Sequence, residues 1–221
     1  MKGWLRNNGL TIALLVLFAA SLAGQAVTGW ASENQTLLDH GKAPLLITSY
    51  LLSAPFLSAL FENWESEFLQ MWVFVMLTAY LFQRGSPESK VPDETAPQDR
   101  DPKRDAHKAS APWPVRVGGW AAIAYSHSLG MVLLGLFMAS FILHWINSAR
   151  RAAGEAITHG HPPLSAVSYL SQPEFWFESF QNWQSEFLST AVLIVLAIFL
   201  RERGSPESKP VGAPHSQTGT D

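Results

Sequence analysis

Two glutamates, Glu67 and Glu186, are the residues of this chain best placed to do chemistry, because each sits in the same short polar string inside a greasy surround. The first string is Phe61-Glu62-Asn63-Trp64-Glu65-Ser66-Glu67-Phe68-Leu69, and the second is Phe180-Gln181-Asn182-Trp183-Gln184-Ser185-Glu186-Phe187-Leu188. A carboxyl held at membrane depth needs a partner, a proton or a cation, so it is a functional candidate by default. Between the strings Glu62 and Glu65 become Gln181 and Gln184, while Glu67 keeps its acid in Glu186. Shape is kept at the first two positions and the carboxyl at the third. Helical spacing adds neighbours. Asn63, Glu67 and Gln70 form one stripe, and Asn182, Glu186 and Thr190 form another. Ser21, Gln25 and Thr28 make a third, with Ser140, His144 and Asn147 as its counterpart. Together these predict a polar pocket in the outer third of a membrane, lined by Glu67, Glu186, Asn63, Asn182, Gln25 and His144. A plainer reading runs beside it. Acids in a helix's first turn oppose its dipole, Asn63 is a fair N-cap, and Ser, Gln and His often only tie membrane helices together.

Other chemistry is thin. His40, His159 and His161 are candidates for a metal site, but no H-x-x-H or H-E-x-x-H spacing supports one, and the metal question stays open. The chain has no cysteine, which excludes disulfides, thiolate ligands and a cysteine nucleophile. No phosphate-binding loop, dinucleotide fingerprint or G-x-S-x-G elbow occurs, so we expect no enzyme and no cofactor. A net charge of −3 leaves no nucleic-acid footprint.

The positioning elements follow from an internal repeat. His40-Gly41 returns as His159-Gly160, an offset of 159 − 40 = 119. The same offset carries Pro44 to Pro163, Tyr50-Leu51 to Tyr169-Leu170, and the two polar strings onto each other. It also carries Arg84-Gly85-Ser86-Pro87-Glu88-Ser89-Lys90 onto residues 203–209 with every residue identical. This pattern reads as a tandem duplication. The repeats are 1–90 and 120–209, separated by a charged, mostly disordered linker at 91–119 and followed by a disordered tail at 210–221.

Apolar residues make up 48% of the chain and charged ones 15%, and the charges are segregated. Residues 10–30 and 120–146 contain no Asp, Glu, Lys or Arg, which is long enough for a helix to cross about 30 Å of hydrocarbon. Trp4 and Trp30, then Trp120 and Trp145, bracket these outward helices as aromatic belts. Return helices are expected from about 64 to 82 and 183 to 200. Their uninterrupted apolar parts, 68–82 and 187–200, span only about 22 Å, too short to cross alone. Ser171-Gln172-Pro173-Glu174 reads as a capping box, predicting a helix that starts near Ser171 and either runs to Leu200 or breaks near Asn182. The expected fold is an all-α integral membrane protein. Four transmembrane helices form two tandem two-helix repeats in one orientation, with short outer interfacial helices. Basic residues before the first helix, in the linker and after the fourth helix place both termini in the cytoplasm. Repeats sharing one orientation imply a pseudo-symmetry axis along the membrane normal. The Arg-Gly-Ser-Pro-Glu-Ser-Lys strings read as helix exits, or as docking or phosphorylation sites on Ser86 and Ser205.

The strings at 61–70, Asn8-Gly9-Leu10, Gly24-Gln25, His40-Gly41 and the twin Arg-Gly-Ser-Pro-Glu-Ser-Lys endings resemble an uncharacterised bacterial family of small four-pass membrane proteins, a domain of unknown function. The resemblance covers nearly the whole chain. It implies a bacterial inner-membrane location and carries no activity with it. The expected partners are the lipid bilayer and a small cation or proton. Four short helices enclose little interior, which leaves a homodimer around the pocket open. Two functions are therefore expected as alternatives: a small transporter, channel or ion-binding protein using paired glutamates, or a structural, partner-binding membrane protein.

Overall fold

The computed structural model describes residues 2–219. Thr220 and Asp221, the end of the expected tail, lie outside the described residues, as does the side chain of Lys2. All regular structure among the described residues is helical. In chain order it is α1 (Lys2–Asp39), α2 (Ile47–Tyr50), α3 (Ala54–Tyr80), α4 (Trp113–Val117), α5 (Gly119–Ser126), α6 (Ser128–Thr158), α7 (Ala166–Tyr169) and α8 (Pro173–Phe199). Two 3-10 turns, Pro97–Asp99 and Pro102–Asp105, punctuate the charged stretch between α3 and α4. Contacts gather the chain into two compact units. Of the described residues, 2–61 with 143–170 make the first, and 62–142 with 171–219 the second.

Three helices are long and apolar enough to cross a membrane: α1, α6 and α8. At 27 residues α3 is as long as α8, but Glu62, Glu65 and Glu67 all fall near its centre. α8 starts at Pro173, beside the expected Ser171, and α3 at the matching Ala54, so each helix takes in the apolar stretch some ten residues ahead of the expected return span. At 1.5 Å per residue each is about 40 Å long, and of the two only α8 is also apolar enough to cross. The cap of α8 is Gln172, with Pro173 in the first turn, and not Ser171; the helix runs unbroken past Asn182. The second outward helix also departs from expectation. It stops at Ser126 and restarts at Ser128, with His127 between at φ −114° and ψ 8°. Ser126 and Ser128 turn their hydroxyls onto the carbonyls of Ala122 and Tyr125, the local competition that interrupts helices.

In the first unit, the two His-Gly pairs close helices. Gly41 N–H bonds Leu38 O at 2.9 Å and Lys42 N–H bonds Leu37 O at 2.8 Å, a Schellman motif with Gly41 at φ 67°. Gly160 N–H to Ile157 O at 3.1 Å and His161 N–H to Ala156 O at 2.8 Å repeat it, with Gly160 at φ 74°. Beyond the first cap, the Trp30 indole and the Asn34 amide fold the loop back onto α1 by bonding Leu45 O at 2.7 and 3.2 Å. Asn34 also accepts from Leu45 N–H at 2.7 Å. Tyr50 is buried and tilted against Phe56 at 5.4 Å, with its hydroxyl in the space beside Gly29 where a Cβ would stand. The buried hydroxyls of Ser58 and Ser148 share a hydrogen bond of 2.6 Å.

In the second unit, rings pack edge to face. Phe141 meets Phe175 at 5.5 Å, and Phe137 and Phe180 meet Trp183 at 6.3 and 5.4 Å. After α3 and α8 the identical strings fold identically. Ser86 Oγ accepts from Glu88 N–H at 3.2 Å, and Ser89 Oγ from Gln83 N–H at 2.9 Å. Ser205 accepts from Glu207 N–H at 3.2 Å and Ser208 from Glu202 N–H at 2.9 Å. Both glycines, Gly85 and Gly204, take positive φ, 84° and 91°. The exit arginine is Arg201, whose guanidinium bonds the last carbonyls of α8, Ala197 and Ile198, at 3.3 and 3.1 Å.

Candidate functional site

The site is built along the seam of α3 and α8, inside the second unit. The Asn182 amide donates to Glu62 Oε1 at 2.5 Å and the Trp183 indole to Glu65 Oε1 at 2.9 Å. Further along, the Gln70 amide donates to Thr190 Oγ1 at 2.6 Å. Contacts that advance together along both chains make the two helices parallel across this seam. Glu65 is fully buried, so its indole partner carries the satisfaction that solvent cannot supply.

Between the Trp183 and Thr190 rungs, Glu67 and Glu186 come within electrostatic reach of each other. Glu67 is exposed and Glu186 half-buried. Each is the middle residue of its 27-residue helix, not a member of the first turn. No hydrogen bond reaches either carboxyl among the described residues. Glu62 and Glu65 are thus consumed in holding the seam, and the pair retained in both strings stands apart from that duty.

The other predicted residues divide. Asn182 is in the seam, where it also bonds Glu178 O at 3.1 Å. Asn63 is exposed on α3, well inside the helix, which overturns its reading as an N-cap: the cap lies ten residues earlier, where Ser53 precedes Ala54. Gln25, half-buried on α1, and His144, fully buried on α6, belong to the first unit. Two of the outer histidines, His40 and His159, bond their own helix ends. His40 Nδ1 bonds Thr36 O and His159 Nδ1 bonds Glu155 O, both at 2.8 Å, and the two rings meet edge-on at 6.3 Å.

One constellation escaped the sequence reading. The twin loops after α3 and α8 bring Glu88 to Glu207, and the two carboxyls share a hydrogen bond. Burial, then the Glu207 hydrogen bond and charge, push the Glu88 carboxyl up to about 7. The signal was in view: both copies of an otherwise identical string carry this acid.

A fold that is all helical among the described residues, with three helices long and apolar enough to cross a membrane and acids along a helical seam, defines a class of membrane-type helical protein. Within that class the chain belongs to the family described as Domain of unknown function (DUF6766), whose model matches residues 1–220. No curated protein and no solved structure matches it.

Proposed function

We propose that this is a four-span bacterial inner-membrane protein, formed by duplication, that binds a proton or small cation between Glu67 and Glu186. The duplication reading draws support from helix bounds. Asp39 and Thr158, Ala54 and Pro173, and Tyr80 and Phe199 each end or begin matching helices 119 positions apart. The fourth span in this reading is α3. Its acids Glu62 and Glu65 meet donors on α8, which is how a span can carry carboxyls that lipid cannot solvate. Basic residues at 2, 6, 84–116 and 201–209 favour cytoplasmic termini. No catalysis and no cofactor form part of the proposal.

The observation that carries the ion site is the contrast along one seam: two acids bonded, and one facing pair not. Like carboxylates brought together are relieved by a proton or a cation between them. That is the chemistry of an ion-binding protein of the transporter or channel type. The test is thermal stability of the full chain in lipid nanodiscs, titrated with Na⁺, K⁺ and H⁺. At a hundredfold excess over Kd, a bound ion adds about 2.7 kcal/mol of stability. The wild type should rise in Tm with one of these ions. Glu67→Gln with Glu186→Gln should abolish the response while keeping the helical content. A double variant that responds like the wild type would return the seam to the second reading, in which the ladder of Glu62, Glu65 and Gln70 only fastens helices together.

A further inference from the structure

The seam opens beyond the Gln70–Thr190 bond. There α3 and α8 enclose a cavity of about 540 Å³, within the size range of small-molecule sites, roughly 300–1,000 Å³. Its walls are apolar, with Phe74 and Leu77 from α3 and Phe187 and Ile194 from α8. Polar groups gather at the two ends, at Gln70 with Thr190 and at Gln83 and Glu88 with its flanking serines, while the Thr78 hydroxyl on the wall between is turned onto Phe74 O at 2.9 Å. Glu88 also lines a second, polar cavity of about 560 Å³, formed by residues 87–98 with 218 and 219. One carboxyl therefore stands where a wet vestibule meets a greasy chamber.

We propose that this chamber binds an amphipathic organic cation, its apolar body between α3 and α8 and its ammonium-type head on Glu88. Charge complementarity selects the occupant. Of the charged side chains among the described residues, Glu88 alone lines the chamber, and three cations near its floor are already engaged. Lys90 holds Asp99 and Ala79 O, both at 2.8 Å. Lys209 is buried on the carbonyls of Pro214, His215 and Gln217 at 2.9 to 3.3 Å. Arg201 bonds backbone carbonyls of α8 and of Pro210 and Ala213. The Glu207 carboxyl from the opposite loop acts on Glu88, and the polar cavity beside it is lined by Glu94 and by Lys90, which is paired with Asp99, so an acidic excess remains. The Glu88 carboxyl, pushed up to about 7 by burial and by Glu207, gives up its proton when a cation arrives, which makes binding compete with protons. The site is independent of the Glu67–Glu186 pair, which lies one turn before Gln70 and Thr190.

The probe is tetraphenylphosphonium, with triphenylphosphine oxide as a neutral comparator. Binding to the full chain in nanodiscs is measured by equilibrium dialysis at pH 6 and pH 8. The wild type should bind the cation more tightly at pH 8. Glu88→Gln should weaken the cation about tenfold at pH 8, the effect of one desolvated ion pair, flatten the pH dependence and leave the neutral comparator unchanged. Ala191→Trp, which fills the chamber, should abolish both ligands even if Glu88→Gln proves poorly folded. Glu67→Gln with Glu186→Gln should bind the cation normally, separating this site from the ion site. Equal cation binding by wild type and Glu88→Gln overturns the proposal. So does binding that survives Ala191→Trp, or a chamber found by native mass spectrometry to hold a phospholipid that the cation cannot displace.

Discussion

Replacing Trp183 with Phe isolates one rung of the α3–α8 seam. Glu65 is fully buried, and its Oε1 accepts the Trp183 indole N–H at 2.9 Å. Phenylalanine keeps an aromatic ring against Phe137 and Phe180 but removes the donor. Losing a hydrogen bond to a carboxylate costs about 1.5–3 kcal/mol. The smaller ring forfeits apolar contact worth about 1 kcal/mol more. The expected loss is thus about 2.5–4 kcal/mol. Glu65→Gln, which keeps an acceptor oxygen in place, should cost less than about 1 kcal/mol. The decisive variant is the pair Glu65→Leu with Trp183→Phe. With no stranded carboxyl left, its loss should fall short of the sum of the two single changes by about 1–2 kcal/mol. Any other contacts of Glu65 cancel in that cycle when Trp183 changes alone. Reversible unfolding in mixed micelles, followed by circular dichroism, supplies the free energies. Additivity to within about 0.5 kcal/mol, or a Trp183→Phe loss smaller than that, would refute the claim that this bond holds the helices.

Three further outcomes are expected. Gly29→Ala places a methyl where the Tyr50 hydroxyl sits, and the buried tyrosine must shift, so unfolding should show a loss of about 1–3 kcal/mol. The twin exit glycines should differ: Gly204→Ala meets open space and suffers only the left-handed backbone, about 1–2 kcal/mol. Gly85→Ala also presses on His215 O, 2.7 Å from the new Cβ, so its Tm should fall further. The pH dependence of stability has a definite sign. The Glu88 carboxyl, raised from 4.5 to about 7, binds its proton more tightly in the folded chain. Its contribution is therefore present below pH 4.5 and lost as pH climbs through 7. A Tm scan over that window should decline, and Glu88→Gln should flatten the decline.

Much of the helical order was legible because its signals are local. Uncharged apolar runs mark α1 and α6, and Pro173 marks the start of α8. Whether the return helices run through their polar strings or break there was left open by the sequence. Apolar residues ahead of Glu62 and Gln181 read equally well as interfacial helix or as part of a span, and only continuity of the backbone decides. His40 and His159 gain a contact that spacing does not show: each ring bonds its own helix end through Nδ1. The break at His127 depends on where two serine hydroxyls turn, which periodicity cannot encode. Glu88 escaped notice because its meaning depends on Glu207 lying opposite, a distance of more than a hundred residues in sequence.

Across the seam a residue meets a neighbour close to its own repeat equivalent: Glu62 and Asn182, Glu65 and Trp183, Glu67 and Glu186, Gln70 and Thr190. On the proposed duplication, parallel equivalents facing each other are what a two-fold axis along the helices produces. Such an axis forces self-meeting. A residue on it faces its own copy, so an acid there faces an acid, as Glu67 does Glu186 and Glu88 does Glu207. Residues beside the axis face something else, as Glu65 faces the Trp183 indole. The amide substitutions fall only in this second group, where Gln184 turns to Gln181 O instead of bridging the helices. Repulsion on the axis is relieved by changing either acid to an amide, a single-residue change that neither self-facing pair has undergone. A charge kept where it opposes its own fold is more economically assigned to a ligand than to packing, and the packing is already supplied by the rungs on either side.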